Sequence, residues 1–509
     1  MIAPHIAIIG SGVAACAVAQ RLLERKIAGR VTLFEAGNAV KMADQRHWLD
    51  YLTTNSRPYD ENGDARDQSD EGSSKFLRGS RLFVRGGSTV HWGGWSLRFK
   101  PEDFALASAT GQAIDWPFGY ETLEPYYHLA EQFLTVAGDS ASEDPPRQGK
   151  KYPLEAVPYT IKDGPVAKTL DSLGYGYSHL PIARNWGCVT TGTCKYCPVN
   201  GRYTAVMTLQ EMEDSFGAAI ELRTESPVRR IIMRDKKTAL SVEYIEKGDG
   251  DVKFFSADRI IIAAGAIESP KLLLNSQSGF WPVGIGNDFD HLGRHLVFHP
   301  LVWAKGRKKN NPDHLDQELD FPTLGCRHFD SPAEQKRGKF FFVRDGRGTA
   351  ASFQRDMSEG KSVADIEKKL QSELPFSLHG FIESFEPEEN RVSLTSETTR
   401  FGLPGTKITL RENDITTAGK KRFEEVLARI LREMGCSSIE AGHYPPRGDH
   451  SVATCRMSVE EKDGVVDANL KIHGTDNLYV CSNAVIPNVA AVNPTLTLTA
   501  LALRLGDSL

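Results

Sequence analysis

HIAIIGSGVAACAVAQRLLERKIAGRVTLFEAG (residues 5–37) is the stretch on which the reading of the chain turns. Ile6 to Ile9 form a continuous apolar run, as in a strand covered on both faces of a parallel sheet. Gly10, Gly12 and Ala15 follow at G-x-G-x-x-A spacing, then apolar residues at helical spacing (Val18, Leu22) and a second strand pattern, Arg30 to Phe34, ending in Glu35. Strand, glycine turn, helix, strand and acid in that order make the dinucleotide-binding fingerprint. The glycines let backbone approach a pyrophosphate, the helix start offers free N–H groups and its positive dipole end, and Glu35 accepts hydrogen bonds from a ribose diol. A plain βαβ unit with a tight turn would leave Glu35 unexplained. NAD and FAD share the fingerprint. Its position near residue 10 of a long chain favours FAD, because the remaining chain must supply flavin contacts and a substrate cap.

At 509 residues the chain is too long for one ordinary core and is expected to fold as about two domains. A net charge of -5 argues against a nucleic-acid or anionic-membrane partner, leaving a small molecule as the expected one. No apolar run is long enough to span a bilayer, and the opening MIAPHIAIIGSG has no room for a signal sequence before its glycines. A cytoplasmic protein is expected, with export alongside a signal-bearing partner subunit left open. Of the eight cysteines only Cys188, Cys194 and Cys197 cluster. In such a compartment thiols are expected rather than disulfides.

Further along, VRGGSTVHWGG (84–94) surrounds His91 with glycines, the composition of backbone shaped around an object. Residues 38–79 are polar and irregular and read as an exposed excursion or lid. Strand alternation returns from 219 to 275, with a Gly-containing turn at Ala264–Gly265 opening a helix. The segments KFFFVRD, FSLHGFIESFEP and NRVSLT, between 298 and 410, suggest an antiparallel sheet capping the active site, and 420–435 reads as an amphipathic helix. Near the end, GDHSVATCRM holds His450, and NPTLTLTALAL opens a helix at Asn493-Pro494. Read alone, Asn493 is a helix N-cap and His450 a satisfied loop histidine.

Together these pieces resemble the glucose-methanol-choline (GMC) oxidoreductase family from end to end. The matching motifs are the fingerprint with Glu35, GGSTVHWGG, DWPFGYETLEPYY, GAIESPKLLLNS, LGRHLVFHP, HSVATCRM followed by GVVD, and NPTLTLTALAL. The resemblance implies an α/β (α+β) fold: an FAD-binding Rossmann-like domain of glutathione-reductase type, and a substrate domain built on an antiparallel sheet. By this reading 1–37, 80–100, 219–297 and 443–509 form the FAD domain, and 101–218 with 298–442 the substrate-binding cap.

The resemblance also implies FAD as cofactor and places His450 and Asn493 at the two catalytic positions. Neutral His450 would take the hydroxyl proton as general base, flavin would take the hydride, and Asn493 would hold the substrate oxygen. Gly86, Gly87, Ser88 and Trp92 are expected along the flavin. Val228, in TESPV, matches the position whose backbone contacts the adenine. Ala264, Gly265, Asn483, Ala484 and Thr495 complete the expected cofactor contacts. Where the family often has an Asp, the loop CSNAVIP carries Ser482 and Asn483. His91 falls where some members bond histidine covalently to the flavin, and the alternative is a histidine that only hydrogen-bonds beside the ring. Trp92, Trp95 and Trp116 suit the apolar faces of sugar rings but serve equally as core.

GGSTVHW is closest to the pyranose oxidase and sugar dehydrogenase branch, so a sugar or glycoside ring hydroxyl is the expected substrate, with oxygen or another acceptor reoxidising the flavin. Two rivals remain. One is an electron-transfer dehydrogenase with an iron–sulfur centre at Cys188, Cys194 and Cys197 and a small partner subunit. The other is a natural-product alcohol oxidase or an FAD-retaining lyase. A homo-oligomer is also compatible with the sequence.

Overall fold

In a computed structural model, the described residues are 3–40, 79–185, 199–246, 250–309, 321–345, 356–371, 373–385 and 387–509, with single positions or pairs at 50, 54, 56–57, 59, 68–69, 76–77, 188 and 197. The excursion expected at 38–79 lies largely outside them.

The apolar runs of the fingerprint form the centre of a five-stranded sheet. Its order is Leu478–Val480, Arg259–Ile262, His5–Ile9, Arg30–Phe34, Ile220–Arg223, and every pairing is parallel. Ile8 sits between Leu33 and Ile261, all fully buried, as the continuous apolar pattern requires of a sheet covered on both faces. The helix Val13–Glu24 packs along the C-terminal helix Thr495–Ser508, where Arg21 donates from Nε (2.7 Å) and Nη2 (2.9 Å) to the two carboxylate oxygens of Asp507. An antiparallel meander of Val228–Met233, Ala239–Ile245 and Val252–Ser256 lies over the edge, with Phe34 against Tyr244 and Phe255.

A second, six-stranded sheet is antiparallel throughout. Its order is Ser437–His443, Leu301–Lys309, Glu373–Ile382, Phe340–Arg344, Leu324–Cys326, Ser178–His179. Strand alternation gives it two unlike faces. Leu378 and Ile382 point to the helix Asp414–Glu433, whose stripe of Phe423, Leu427, Ile430 and Leu431 covers them. Phe381, of opposite parity, points the other way, into the core that contains the parallel sheet. The amphipathic pattern near 420–435 thus begins earlier, at Asp414, because Asn413 caps the helix by accepting from Thr416 N–H (2.8 Å).

One expectation needs redrawing. NRVSLT is not part of the capping sheet: Arg391–Thr398 pairs with Pro404–Thr409 in a separate small sheet beside Gln68–Ser69. Alternation shows that a segment is a strand but not which distant strand it meets.

Candidate active site

A cavity of about 420 Å³ opens at the carboxyl ends of the parallel strands, where the loops after Ile9, Ile262 and Val480 diverge. Three helices begin at its wall: Val13–Glu24 after Gly12, Gly265–Asn275 after Ala264, and Thr495–Ser508 after Pro494. None has a side-chain cap at its N-terminus, so their first N–H groups and positive dipole ends are left for an anionic ligand.

Backbone approaches the cavity closely at Gly10. Its φ is +111°, and a Cβ there would lie 2.5 Å from the Ala263 carbonyl oxygen. Gly10→Ala is therefore expected to cost about 1–3 kcal/mol through overpacking alone and to yield flavin-poor protein with a lowered Tm, measured by absorbance and thermal melting.

Glu35 closes the same end. It is 6% exposed; Ser11 Oγ donates to its Oε2 (2.5 Å) and Gly37 N–H to its Oε1 (2.9 Å). Burial raises its pKa to about 7 against the pull of those bonds. Ser11 Oγ in turn accepts from Gly86 N–H (3.1 Å), which ties VRGGSTVHWGG to the fingerprint.

Gly10, Gly12, Glu35, Gly87, Ser88, His91, Trp92, Val228, Ala264, Gly265, Asn483 and Thr495 all line this cavity, as do His450 and Asn493. Ala15, Gly86 and Ala484 do not. Ala15 and Ala484 are fully buried, and a Cβ on Gly86 would strike the Val206 side chain rather than open space. Of the three tryptophans, Trp92 and Trp95 line the cavity, with Trp92 Nε1–H donating to the Tyr203 carbonyl (2.8 Å). Trp116 is core, packed against Phe104 and Phe99. Cys188 accepts from Arg184 Nη1 (3.5 Å), and Cys197 Sγ accepts from Gly201 N–H (3.2 Å). Neither reaches the cavity, and Cys194 lies outside the described residues.

At the far end from Glu35, hydrogen bonds set the chemistry of His450. Asn493 Nδ2 donates to His450 Nε2 (3.1 Å). His450 Nδ1 is 2.9 Å from His299 Nδ1, and His299 Nε2 is 3.2 Å from the carbonyl oxygen of Ala490. That carbonyl can only accept, so His299 Nε2 carries its proton and His299 Nδ1 is the acceptor. His450 then carries its own proton on Nδ1, and its Nε2 is unprotonated, its lone pair accepting from Asn493. Ala490 holds this carbonyl from a left-handed backbone conformation, φ +52°, a strained choice for alanine of the kind that clusters at functional sites.

His299 is the residue that sequence reasoning missed. LGRHLVFHP was visible as a motif, but nothing local ties its last histidine to a partner 151 residues away. Asn493, in turn, is not the cap of the final helix. Pro494 is, and the Asn493 side chain is free to face His450.

Burial lowers the pKa of His450 to about 4 and holds His299 well below the usual imidazole range. Both rings are thus neutral when folded but titrate near 6.5 when unfolded. The protonated unfolded chain gains on the folded one as pH drops, so the stability they confer is full above pH 6.5 and is lost toward pH 4. Denaturant titrations across that window should show the decline. Phe381 stacks obliquely on His450 (5.3 Å between centroids) and meets Trp95 at the same distance, an apolar backing to the imidazole. Arg447 and Asp449, paired at 2.7 Å, line the same end.

The donor set fits FAD. The uncapped start of the helix Val13–Glu24 suits a pyrophosphate, Glu35 suits a ribose, and Asn483 Oδ1 and Asn493 Oδ1 are buried without a hydrogen-bond partner among the described residues.

Comparison with known proteins agrees. Family models of GMC oxidoreductases match residues 8–301 and 387–502. The fructose dehydrogenase large subunit of Gluconobacter japonicus is 27% identical over 83% of this chain and 80% of its own. Paromamine 6'-oxidase of Streptomyces fradiae is 25% identical over 98% and 90%. The crystal structure of pyridoxine 4-oxidase from Mesorbium loti superposes with a TM-score of 0.67 at 20% identity, covering 99% of this chain and 98% of that one.

Proposed function

The chain belongs to the GMC oxidoreductases, flavoproteins acting on alcohol CH–OH groups, and from that premise we propose that it oxidises a ring hydroxyl of a sugar or glycoside to a ketone, with His450 as general base. FAD, held by the residues named above, supplies the hydride acceptor. The observation that carries the reading is the unprotonated Nε2 of His450, 3.1 Å from the amide of Asn493, in the same cavity as the fingerprint.

A substrate hydroxyl entering between these groups donates to His450 Nε2 and accepts from Asn493 Nδ2, so one oxygen is fixed by two bonds. As the proton passes to Nε2, the Nδ1–H of the resulting imidazolium already donates to His299. Trp95, backed by the buried Phe381, offers an apolar surface to a ring face. Arg447 and Asp449 are the polar groups available to the remaining hydroxyls. A fructose dehydrogenase among the relatives supports a sugar in this place.

The test is anaerobic bleaching of the flavin band by a panel of sugars, glycosides and aryl alcohols, followed by readmission of oxygen. Sugars or glycosides with a free secondary hydroxyl should bleach it. Bleaching by aryl alcohols alone overturns the substrate class, and bleaching by none overturns the redox reading. Recovery of colour in air separates an oxidase from a dehydrogenase that needs another acceptor.

His91 lines the cavity beside Ser88 and Trp92, and we assign it the covalent bond to the flavin. Acid-precipitated wild-type protein should then form a yellow pellet and His91→Ala should release its colour. A yellow supernatant from the wild type refutes the bond.

A further inference from the structure

Away from the flavin cavity, three side chains that serve no step above converge. His291 and His295, from the loop that also carries His299 and precedes the strand Leu301–Lys309, place Nδ1 and Nε2 3.0 Å apart. A carboxylate oxygen of Glu388 joins them, all three ligand atoms lying within 4.8 Å of one another. None of the three lines the cavity. We propose that His291, His295 and Glu388 bind a first-row divalent cation, zinc being the chemistry they fit best.

The tautomers support it. His291 Nε2 lies 2.7 Å from the Lys462 carbonyl, which can only accept, so the Nε2 proton is fixed there and the lone pair of His291 is on Nδ1, facing His295. Such a backbone carbonyl behind the ring is how proteins orient metal-binding histidines. In the absence of a cation, His295 Nε2–H donates to that lone pair. A cation takes both lone pairs once the His295 proton moves to its Nδ1, and no proton has to leave the pair. Two imidazoles and a carboxylate, with water as a fourth ligand, are a common zinc set. His295 is held at φ +61°, a left-handed conformation that costs a histidine energy and turns its ring toward His291.

Charge around the site does not forbid a cation. Arg294 and Arg391 are both paired with Asp290. Glu388 and Asp463 act electrostatically on Arg456, whose Nε donates to the Asp463 carbonyl (2.9 Å). The cation would bridge the loop at 291–295 to the segment at 387–391, already joined by Leu296 N–H donating to Asn390 O (3.0 Å).

The test is equilibrium dialysis of chelator-treated holoenzyme against micromolar zinc, with elemental analysis. Wild type should take up stoichiometric zinc and melt at a higher temperature with it. His291→Ala should lose that uptake. Glu388→Gln, at an exposed position where folding is not at stake, should weaken it by about 10-fold or more. Retained flavin absorbance certifies that each variant is folded. Failure of the wild type to bind, or binding unchanged in both variants and therefore located elsewhere, for example at the cysteines, overturns the proposal.

Discussion

His450→Ala is expected to keep its flavin and to be reduced by substrate at least about 10²-fold more slowly than the wild type, the usual worth of a positioned general base. The site is built so that this loss falls on chemistry rather than binding. His450 touches Asn493, His299 and Phe381, and has no hydrogen bond to Gly10, Gly12 or Glu35, the groups suited to the cofactor's phosphates and ribose. Stopped-flow reduction under anaerobic conditions reads the step directly, and unaltered reduction would remove His450 from the role of base. Because its pKa is lowered to about 4 by burial, the wild-type rate should hold from neutral pH downward and fall only as pH nears that value.

The second large effect is expected at His299, which touches no reacting atom and acts by setting the tautomer of His450. His299→Leu deletes the only acceptor that the described structure offers to His450 Nδ1–H. The ring then either keeps that proton unpaired in a buried place or moves it to Nε2, where it can no longer receive the substrate's. Forfeiting part of the 10²–10⁴-fold worth of a base gives a slowing on the order of 10- to 100-fold. Loss of a hydrogen bond to the charged form also moves the acid limb of the pH profile down, not up. His299→Gln restores an acceptor toward Nδ1 and a donor toward the Ala490 carbonyl, and should recover much of the rate. A purely packing role for His299 predicts instead that both variants slow alike with an unmoved acid limb.

The elements legible in the sequence are those whose cause is local. The run Ile6–Ile9, the glycines at 10 and 12 and the acid at 35 foretell strand, turn and ribose-binding position, because each depends on neighbours within a few residues. Resemblance extended this reach: it named His450 and Asn493 together although 43 residues separate them, and the fold brings their side chains into a hydrogen bond. Even so, local signals misled at two places. Asn493-Pro494 has the pattern of a capped helix start, yet the side chain bonds to His450. NRVSLT alternates like a strand of the capping sheet, yet pairs in another.

What the sequence by itself determined is therefore the parallel βαβ half with its glycine turn and the existence of a second, antiparallel layer, and it nominated His450 as the base. Only the tertiary structure decided which nitrogen of His450 is unprotonated, because a tautomer depends on partners supplied by distant loops: His299 lies 151 residues before His450, and Ala490 lies 191 beyond His299. The same holds for His291, whose proton is fixed by a carbonyl 171 residues along the chain. Periodicity and turn chemistry act over a few residues of backbone, while a proton's position on imidazole is set by whatever acceptor the completed fold brings within 3 Å or so.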